Sequence, residues 1–105
     1  MLWSLASGEG ITHLHAHHAN VASDVARLAT DFGTHVGSGP TAWTFMMHGS
    51  TEFTDIQRHD LKAKSESAAG VACISYYTRS QLMMVSRSQS WPAYDVIHCG
   101  VDPER

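Results

Sequence analysis

Four short apolar segments recur along the chain, and each spacer between them is long enough to hold a helix. The segments are residues 11–15, 41–47, 71–74 and 94–98. The longest is a nearly continuous apolar run with β-branched and aromatic members, which is typical of a strand buried on both faces of a parallel sheet. The resulting β-α-β-α-β-α-β order predicts an α/β domain: a Rossmann-like open parallel sheet with helices on both faces.

Local signals predict a helix in each spacer. Asn20 is a good N-cap, and an apolar face with the i, i+3, i+4, i+7 spacing of a helix follows it. Gly33 comes directly after that face and is predicted to end the helix. Residues 56–69 carry a moderate helix signal closed by Gly70, and Ser75 is predicted to cap a helix over residues 76–85. Residues 2–5 fit an earlier helix, and residues 86–93 a serine-rich loop. The apolar face after Asn20 consists of Val25, Leu28, Ala29 and Phe32.

The charge content limits the partners that such a domain can have. Charged residues are 16% of the 105 and the formal net charge is −3, whereas an average domain has roughly 25% charged residues. A general nucleic-acid-binding surface is therefore not expected. The sequence shows no signal peptide and no apolar run near the roughly 18 residues of a membrane span. Two cysteines suggest a reducing compartment, so the predicted location is the cytoplasm.

Histidines are the unusual feature of the composition, since the chain has eight of them. Five fall at or just after the ends of predicted strands, and Ser75 ends the third strand. The carboxyl ends of parallel strands meet at one edge of the sheet, which is where α/β proteins bind their ligands. We therefore expect a site at this edge, although any single histidine could instead cap a strand through a backbone hydrogen bond. The five are His15, His17, His18, His48 and His98.

Other chemistries are weaker on this sequence. His13, His15 and His17 alternate, so a strand would place them on one face, and three imidazoles can form an open zinc site. They lack a distant fourth ligand at a known spacing, and no metal or other cofactor is predicted. Cys73 lies within a strand, where a structural role is usual, and Cys99 has no identifiable electropositive helix end to activate it.

Four segments in fixed order resemble a known family. They are His-Ala-His at 15–17, Thr-Phe-Met-Met-His-Gly at 44–49, Cys-Ile-Ser-Tyr-Tyr-Thr-Arg at 73–79 and Val-Ile-His-Cys-Gly-Val-Asp-Pro-Glu-Arg at 96–105. Together they resemble the second half of the N-terminal domain of retaining family 4 glycosyltransferases, which have the GT-B fold. The resemblance covers residues 11–105. The sequence departs from the family at Cys99, where asparagine is usual.

The resemblance implies transfer of a sugar from a nucleotide-sugar donor to a sugar or lipid-linked acceptor, with retention at the anomeric carbon and no required metal. It assigns the catalytic position to His48, which in the family lies in the interdomain cleft near the transferred sugar. Peripheral contact with a membrane would fit lipid-linked acceptors. The substrate-binding residues that the resemblance implies are His17, Gly49, Ser75, Arg79, Gly100 and Asp102.

The resemblance also implies that residues 1–105 are a partial, acceptor-side N-terminal domain. The family's donor-binding domain, with its Arg/Lys pair and its Glu-x7-Glu motif, has no counterpart in this sequence, so the chain alone is expected to be inactive. Two alternatives stay open on the sequence: a stand-alone flavodoxin-like binding module without turnover, and a small histidine-rich metal protein.

Overall fold

The computed structural model describes residues 2–49 and 59–104. Helices and strands alternate along the chain, as the apolar segments predict. The elements are α1 (Leu2–Gly8), β1 (His13–His17), α2 (Val21–Val36), β2 (Ala42–Met47), α3 (Leu61–Ser67), β3 (Gly70–Cys73), α4 (Tyr76–Val85), a 3-10 helix (Ser88–Ala93) and β4 (Tyr94–Val96).

The described strands form a four-stranded parallel sheet in the order β1-β2-β3-β4. Ala16 pairs with Phe45, Phe45 with Val71, and Val71 with Tyr94, so one row of buried side chains crosses the whole sheet. The α/β class and the Rossmann-like open parallel sheet are therefore confirmed.

The crossover helices differ from expectation in where they lie. We expected helices on both faces, but the core on the face of Ala16 and Phe45 contains a residue from each described crossover helix: Ala26, Leu61 and Leu82. The reason is topological, because right-handed crossovers that all step in one direction place their helices on one face. The opposite face of the sheet holds exposed or half-buried side chains: His13, His15, His17, Thr44, Met46, Ala72 and Asp95.

Helix α2 begins as predicted and ends later than predicted. The Asn20 side chain accepts a hydrogen bond from the Ala22 N–H at 3.1 Å. The prediction that Gly33 ends the helix is wrong, since α2 continues to Val36 and Gly37 adopts the left-handed cap with φ 75°. Gly33 is instead buried inside the helix, where a Cβ would lie 2.0 Å from the carbonyl oxygen of Pro40. Its missing side chain lets the following loop fold back onto the helix.

The side chains that α2 turns inward are small, and its large apolar side chains point outward. Ser23, Ala26, Thr30 and Gly33 are buried, which lets the helix approach the sheet closely. Of the predicted apolar face only Ala29 is buried. Its other members, Val25, Leu28 and Phe32, are exposed.

The second half of the chain matches the prediction most closely at α4. This helix spans the predicted residues 76–85, and the Ser75 side chain accepts a hydrogen bond from the Thr78 N–H at 3.1 Å. Gly70 begins β3 and does not merely close the preceding helix, whose predicted residues 56–58 lie outside the described residues. The predicted loop 86–93 contains a 3-10 helix, and β4 ends at Val96, two residues early. Within residues 2–49 and 59–104, no helix has the length and apolarity needed to cross a bilayer.

Candidate functional site

Two histidines from neighbouring strands meet at the carboxyl edge of the sheet. His17 is the last residue of β1 and pairs in register with Met46, and His48 follows β2 two residues beyond Met46. Both side chains therefore belong to the same face of the sheet. His17 Nδ1 and His48 Nε2 lie 3.0 Å apart. A contact between two imidazole nitrogens holds a single hydrogen, so one ring donates it and the other offers a lone pair.

A backbone turn adds a third ring to this pair. His18 has φ 69°, a left-handed conformation that a residue with a side chain seldom adopts. Its N–H donates to the Met46 carbonyl at 2.9 Å, which fixes the turn against β2. Consecutive residues of a strand point to opposite faces, but this turn brings the His18 ring onto His48, with ring centroids 4.4 Å apart.

A buried lysine fixes the backbone that follows the His18 turn. Lys64 of α3 is fully buried, and its Nζ donates to the carbonyls of Ala19 and Asn20, each at 3.2 Å. The same atom lies 3.0 Å from Asp24 Oδ1. A buried ammonium group is tolerated when such acceptors surround it. Sequence reasoning missed Lys64, because the sequence of this moderately helical segment does not distinguish a buried lysine from a solvated one.

The remaining histidines of β1 converge on one hydroxyl group. His13 Nε2 lies 2.9 Å and His15 Nδ1 2.7 Å from Thr44 Oγ1. The hydroxyl has one hydrogen, so it donates to one ring and accepts from the other. Partial burial lowers the pKa of His15, and nearby His17, His13 and His48 lower it further. His15 is therefore neutral at neutral pH and does not serve as a cationic anchor there.

A shallow groove runs along the uncovered face beside these residues. It has a volume of about 230 Å³, and His15 and Thr44 line it from β1 and β2. Asp95 lines it from β4, and Gly70 and Ala72 of β3 contribute no bulky side chain. The groove thus offers a neutral imidazole, a hydroxyl and a carboxylate around a small apolar floor.

The described residues contain no group of three or more His, Cys, Asp or Glu side chains arranged to hold a metal ion. His13, His15 and His17 share a face as the alternation predicted, but two of the rings bind Thr44 and the third binds His48.

The other predicted site residues make mainly local contacts. Ser75 Oγ caps α4 and lies 3.0 Å from Thr78 Oγ1. Arg79 Nε donates to the Tyr94 carbonyl at 3.0 Å, so this part of the guanidinium joins α4 to β4. His98 Nδ1 donates to the Ile74 carbonyl at 3.0 Å, which is the backbone-capping role left open on the sequence.

The last predicted residues follow two different strands, β2 and β4. Gly49 directly follows His48 and is half-buried. Gly100 and Asp102 lie in the exposed segment after β4, where Asp102 Oδ1 accepts a hydrogen bond from the Glu104 N–H at 2.9 Å. The structure thus brings His17 and His48 into contact, with Gly49 adjacent. Thr44 was also missed as a site residue, and knowing the strand register, which pairs it with His15, would have found it.

Comparisons of this chain with protein-family models, with curated proteins and with solved structures find no match.

Proposed function

We propose that this chain forms part of the acceptor-side N-terminal domain of a retaining glycosyltransferase with the GT-B fold. In this proposal His48 contacts the transferred sugar, and His17, Gly49, Ser75, Arg79, Gly100 and Asp102 line the substrate cleft. The substrates are a nucleotide-sugar donor and a sugar or lipid-linked acceptor, and the enzyme acts in the cytoplasm.

The observation that carries this proposal is the contact between His17 and His48 at the carboxyl ends of adjacent parallel strands. This edge is where open α/β sheets bind ligands. A neutral imidazole offers one donor and one acceptor nitrogen, which suits recognition of a sugar hydroxyl. Within the pair, the shared hydrogen fixes the tautomer of a neutral His48: if Nε2 donates to His17, Nδ1 is an acceptor, and if Nε2 accepts, Nδ1 is a donor. His17 is therefore a positioning residue for His48.

The charges of the chain support a separate donor-binding domain. The departing diphosphate of a nucleotide sugar needs preorganised positive charge. Among the arginines and lysines of residues 2–49 and 59–104, only Lys62 makes no ion pair and no side-chain hydrogen bond. Arg27 pairs with Asp60, and Arg87 pairs with Glu66. Arg79 donates to the Tyr94 carbonyl. Lys64 contacts Asp24 and donates to two backbone carbonyls. The described residues therefore offer no pair of unengaged cations for a diphosphate, and the proposal assigns that clamp to a second domain.

One observation favours the alternative of a binding module without turnover. The groove beside His15, Thr44 and Asp95 lies on the sheet face and not at the edge, and it needs no second domain to be complete. A ligand bound there by the chain alone would fit that alternative and not a cleft shared with a second domain.

The test compares variants of the enzyme encoded by the natural reading frame that contains this chain. Product formation is measured with a panel of nucleotide sugars and sugar or lipid-linked acceptors. His48→Ala is expected to lower turnover by about 100-fold or more, the scale for a positioned polar group. His35→Ala is the matched control. This histidine is exposed in the last turn of α2, and its Nδ1 donates to the Asp31 carbonyl.

Two results would contradict the proposal. Turnover of His48→Ala equal to that of the wild type would remove His48 from the site. Calorimetric titration of the 105-residue chain with the same donors is expected to show no binding tighter than about 1 mM. Tighter binding, abolished by Asp95→Asn and unaffected by His48→Ala, would instead support the binding module.

A further inference from the structure

Helix α2 presents an apolar stripe to solvent along its whole length. The stripe consists of side chains that are 42 to 74% exposed although they are valine, leucine and phenylalanine: Val21, Val25, Leu28, Phe32 and Val36. Scattered exposed apolar residues are ordinary, but a continuous stripe marks a surface that is covered in use. Leu2 and Leu5 of α1 add to it, with 37 and 64% exposure.

A groove runs beside this stripe. It lies between α1 and α2, has a volume of about 300 Å³, and its lining contains no charged residue. Trp3 and Phe32 meet there edge to face, with ring centroids 4.8 Å apart. Ala29, a small residue, lines the groove next to Leu28, the most exposed leucine of the stripe. The same surface therefore carries a large projecting side chain and a recess beside it.

The charges around the stripe argue against a lipid surface as its partner. Interfacial membrane helices carry lysine and arginine along the border of the apolar face. The charged residues of α2 are Asp24, Arg27 and Asp31, and Arg27 is paired with Asp60 at 3.2 Å. The border of the stripe therefore carries a net negative charge, and anionic headgroups would repel it. The partner that fits is an apolar protein surface.

The positions of the stripe residues along α2 are nearly symmetric about the point between Leu28 and Ala29. This symmetry favours a second copy of the same helix as the partner. If a second α2 runs antiparallel across this point, Val21 lies opposite Val36 and Val25 lies opposite Phe32. Leu28 then lies beside the twofold axis, so the exposed Leu28 side chains of the two copies pack against each other there. An arrangement in which one patch complements itself is what a twofold axis requires.

We propose that two copies of this chain associate through α2, packed antiparallel about a twofold axis between Leu28 and Ala29. On the border of the stripe, Asp31 of one copy lies near Asp24 of the other, and the charge of Asp24 is paired with Lys64 of its own copy at 3.0 Å. The antiparallel helix dipoles also favour this orientation. This proposal is independent of sugar transfer.

The area available is sufficient for a specific dimer. The half-exposed apolar side chains of α1 and α2 present roughly 400–600 Å² per copy, a large patch for a monomer. Two copies would bury about 1,000 Å² in total, at the lower end of specific interfaces. We therefore expect a reversible dimer with a dissociation constant of about 1 to 100 µM.

The first measurement is the mass of the 105-residue chain in solution, by sedimentation equilibrium up to about 500 µM, above the expected dissociation constant. A concentration-dependent dimer is expected. Leu28→Glu, which puts a carboxylate at the twofold axis, is expected to weaken it at least about 100-fold. Met84→Glu on α4, at a side chain that is 78% exposed, is the matched control and is expected to leave the dimer intact. Circular dichroism verifies that both variants fold.

A disulfide tests the antiparallel register. Val21 and Val36 are about 22 Å apart within one helix, too far to be bridged. In a Cys99→Ser background, Val21→Cys combined with Val36→Cys is expected to give a covalent dimer on mild oxidation, and Val21→Cys alone is not. A monomer at all concentrations, a dimer insensitive to Leu28→Glu, or no covalent dimer from the double variant would overturn the proposal. So would binding to phosphatidylserine vesicles that Leu28→Glu abolishes.

Discussion

The close approach between α2 and the loop after it makes Gly33 the position where a single methyl group has the largest expected effect. In Gly33→Ala the new Cβ would lie 2.0 Å from the Pro40 carbonyl oxygen, 3.0 Å from its carbon and 3.1 Å from the Ser38 carbonyl oxygen. All three are backbone atoms, so no side chain can rotate away. The loop is also held to the helix, because the N–H groups of Gly37 and Ser38 both donate to the Gly33 carbonyl.

The magnitude follows from two opposed effects. Replacing glycine with alanine inside a helix normally stabilises it by about 1 kcal/mol. Here the loop must move by about 1 Å to remove the overlap, which we place near 3 kcal/mol, at the upper end of overpacking costs. We therefore expect Gly33→Ala to lower the free energy of unfolding by about 2 kcal/mol. For a domain of this size that corresponds to a fall in Tm of about 8–16 °C.

Two other glycines provide matched controls in the same urea and thermal unfolding experiments, followed by circular dichroism. Gly37 has φ 75° and nothing within 4 Å of its Cβ position, so Gly37→Ala is limited by backbone conformation and loses about 1 kcal/mol. Gly8 has free space and no positive φ, so Gly8→Ala is neutral or slightly stabilising. A Gly33→Ala protein at least as stable as the wild type would refute the close approach.

Three further predictions concern buried or clustered ionisable groups. Lys64→Met leaves the acceptors around its Nζ without a donor and is expected to destabilise the fold by about 2–4 kcal/mol in urea unfolding. Lys62 is exposed, so Lys62→Met is expected to leave the stability unchanged. Burial raises the pKa of the Cys73 thiol from 9.0 to about 11, so a thiol reagent near pH 8 should label exposed Cys99 and spare Cys73. Because the unfolded thiol ionises first, stability should fall as the pH rises from 9.0 to about 11, and equal stability across that range would contradict the assignment. The pKa of His15 lies below 6.5, so the unfolded state takes up its proton first and His15 reduces stability as the pH falls below 6.5. Titration by NMR, with His15→Gln expected to lessen the loss of Tm in acid, checks this, and a titration midpoint above 6.5 would exclude it.

Sequence reasoning succeeded where the determining signal is local. Ser75 and the residues after it contain both the cap and the helix that it starts, and α4 has the predicted boundaries. The alternation of strands and helices along the chain follows from the apolar segments and their spacers, and predicting it does not require knowing which strands pair. The reasoning failed at Gly33, because the contact that explains this glycine comes from Pro40, and the sequence does not reveal which loop folds back onto a helix.

The same distinction applies to the candidate site. The sequence indicated that His17 and His48 both follow strands of a parallel sheet, which places them at the same edge. The structure shows that these two strands are neighbours. The left-handed turn at His18 and the buried Lys64 beneath it were not visible, because each depends on packing between α3 and the start of α2. Val25, Leu28 and Phe32 of the stripe were recognised as part of one apolar helix face, but periodicity identifies a face without telling what covers it.

The strand order has a consequence for how the polypeptide acquires its structure during synthesis. Each strand pairs with the strand that precedes it in the chain, and register partners such as His13 and Ala42, Thr44 and Gly70, or Val71 and Tyr94 are 23 to 29 positions apart. Among the four described strands, none has to be inserted between two earlier ones. As the nascent chain leaves the ribosome, each newly emerged strand therefore finds its template already formed, and the growing edge moves forward one β-α unit at a time.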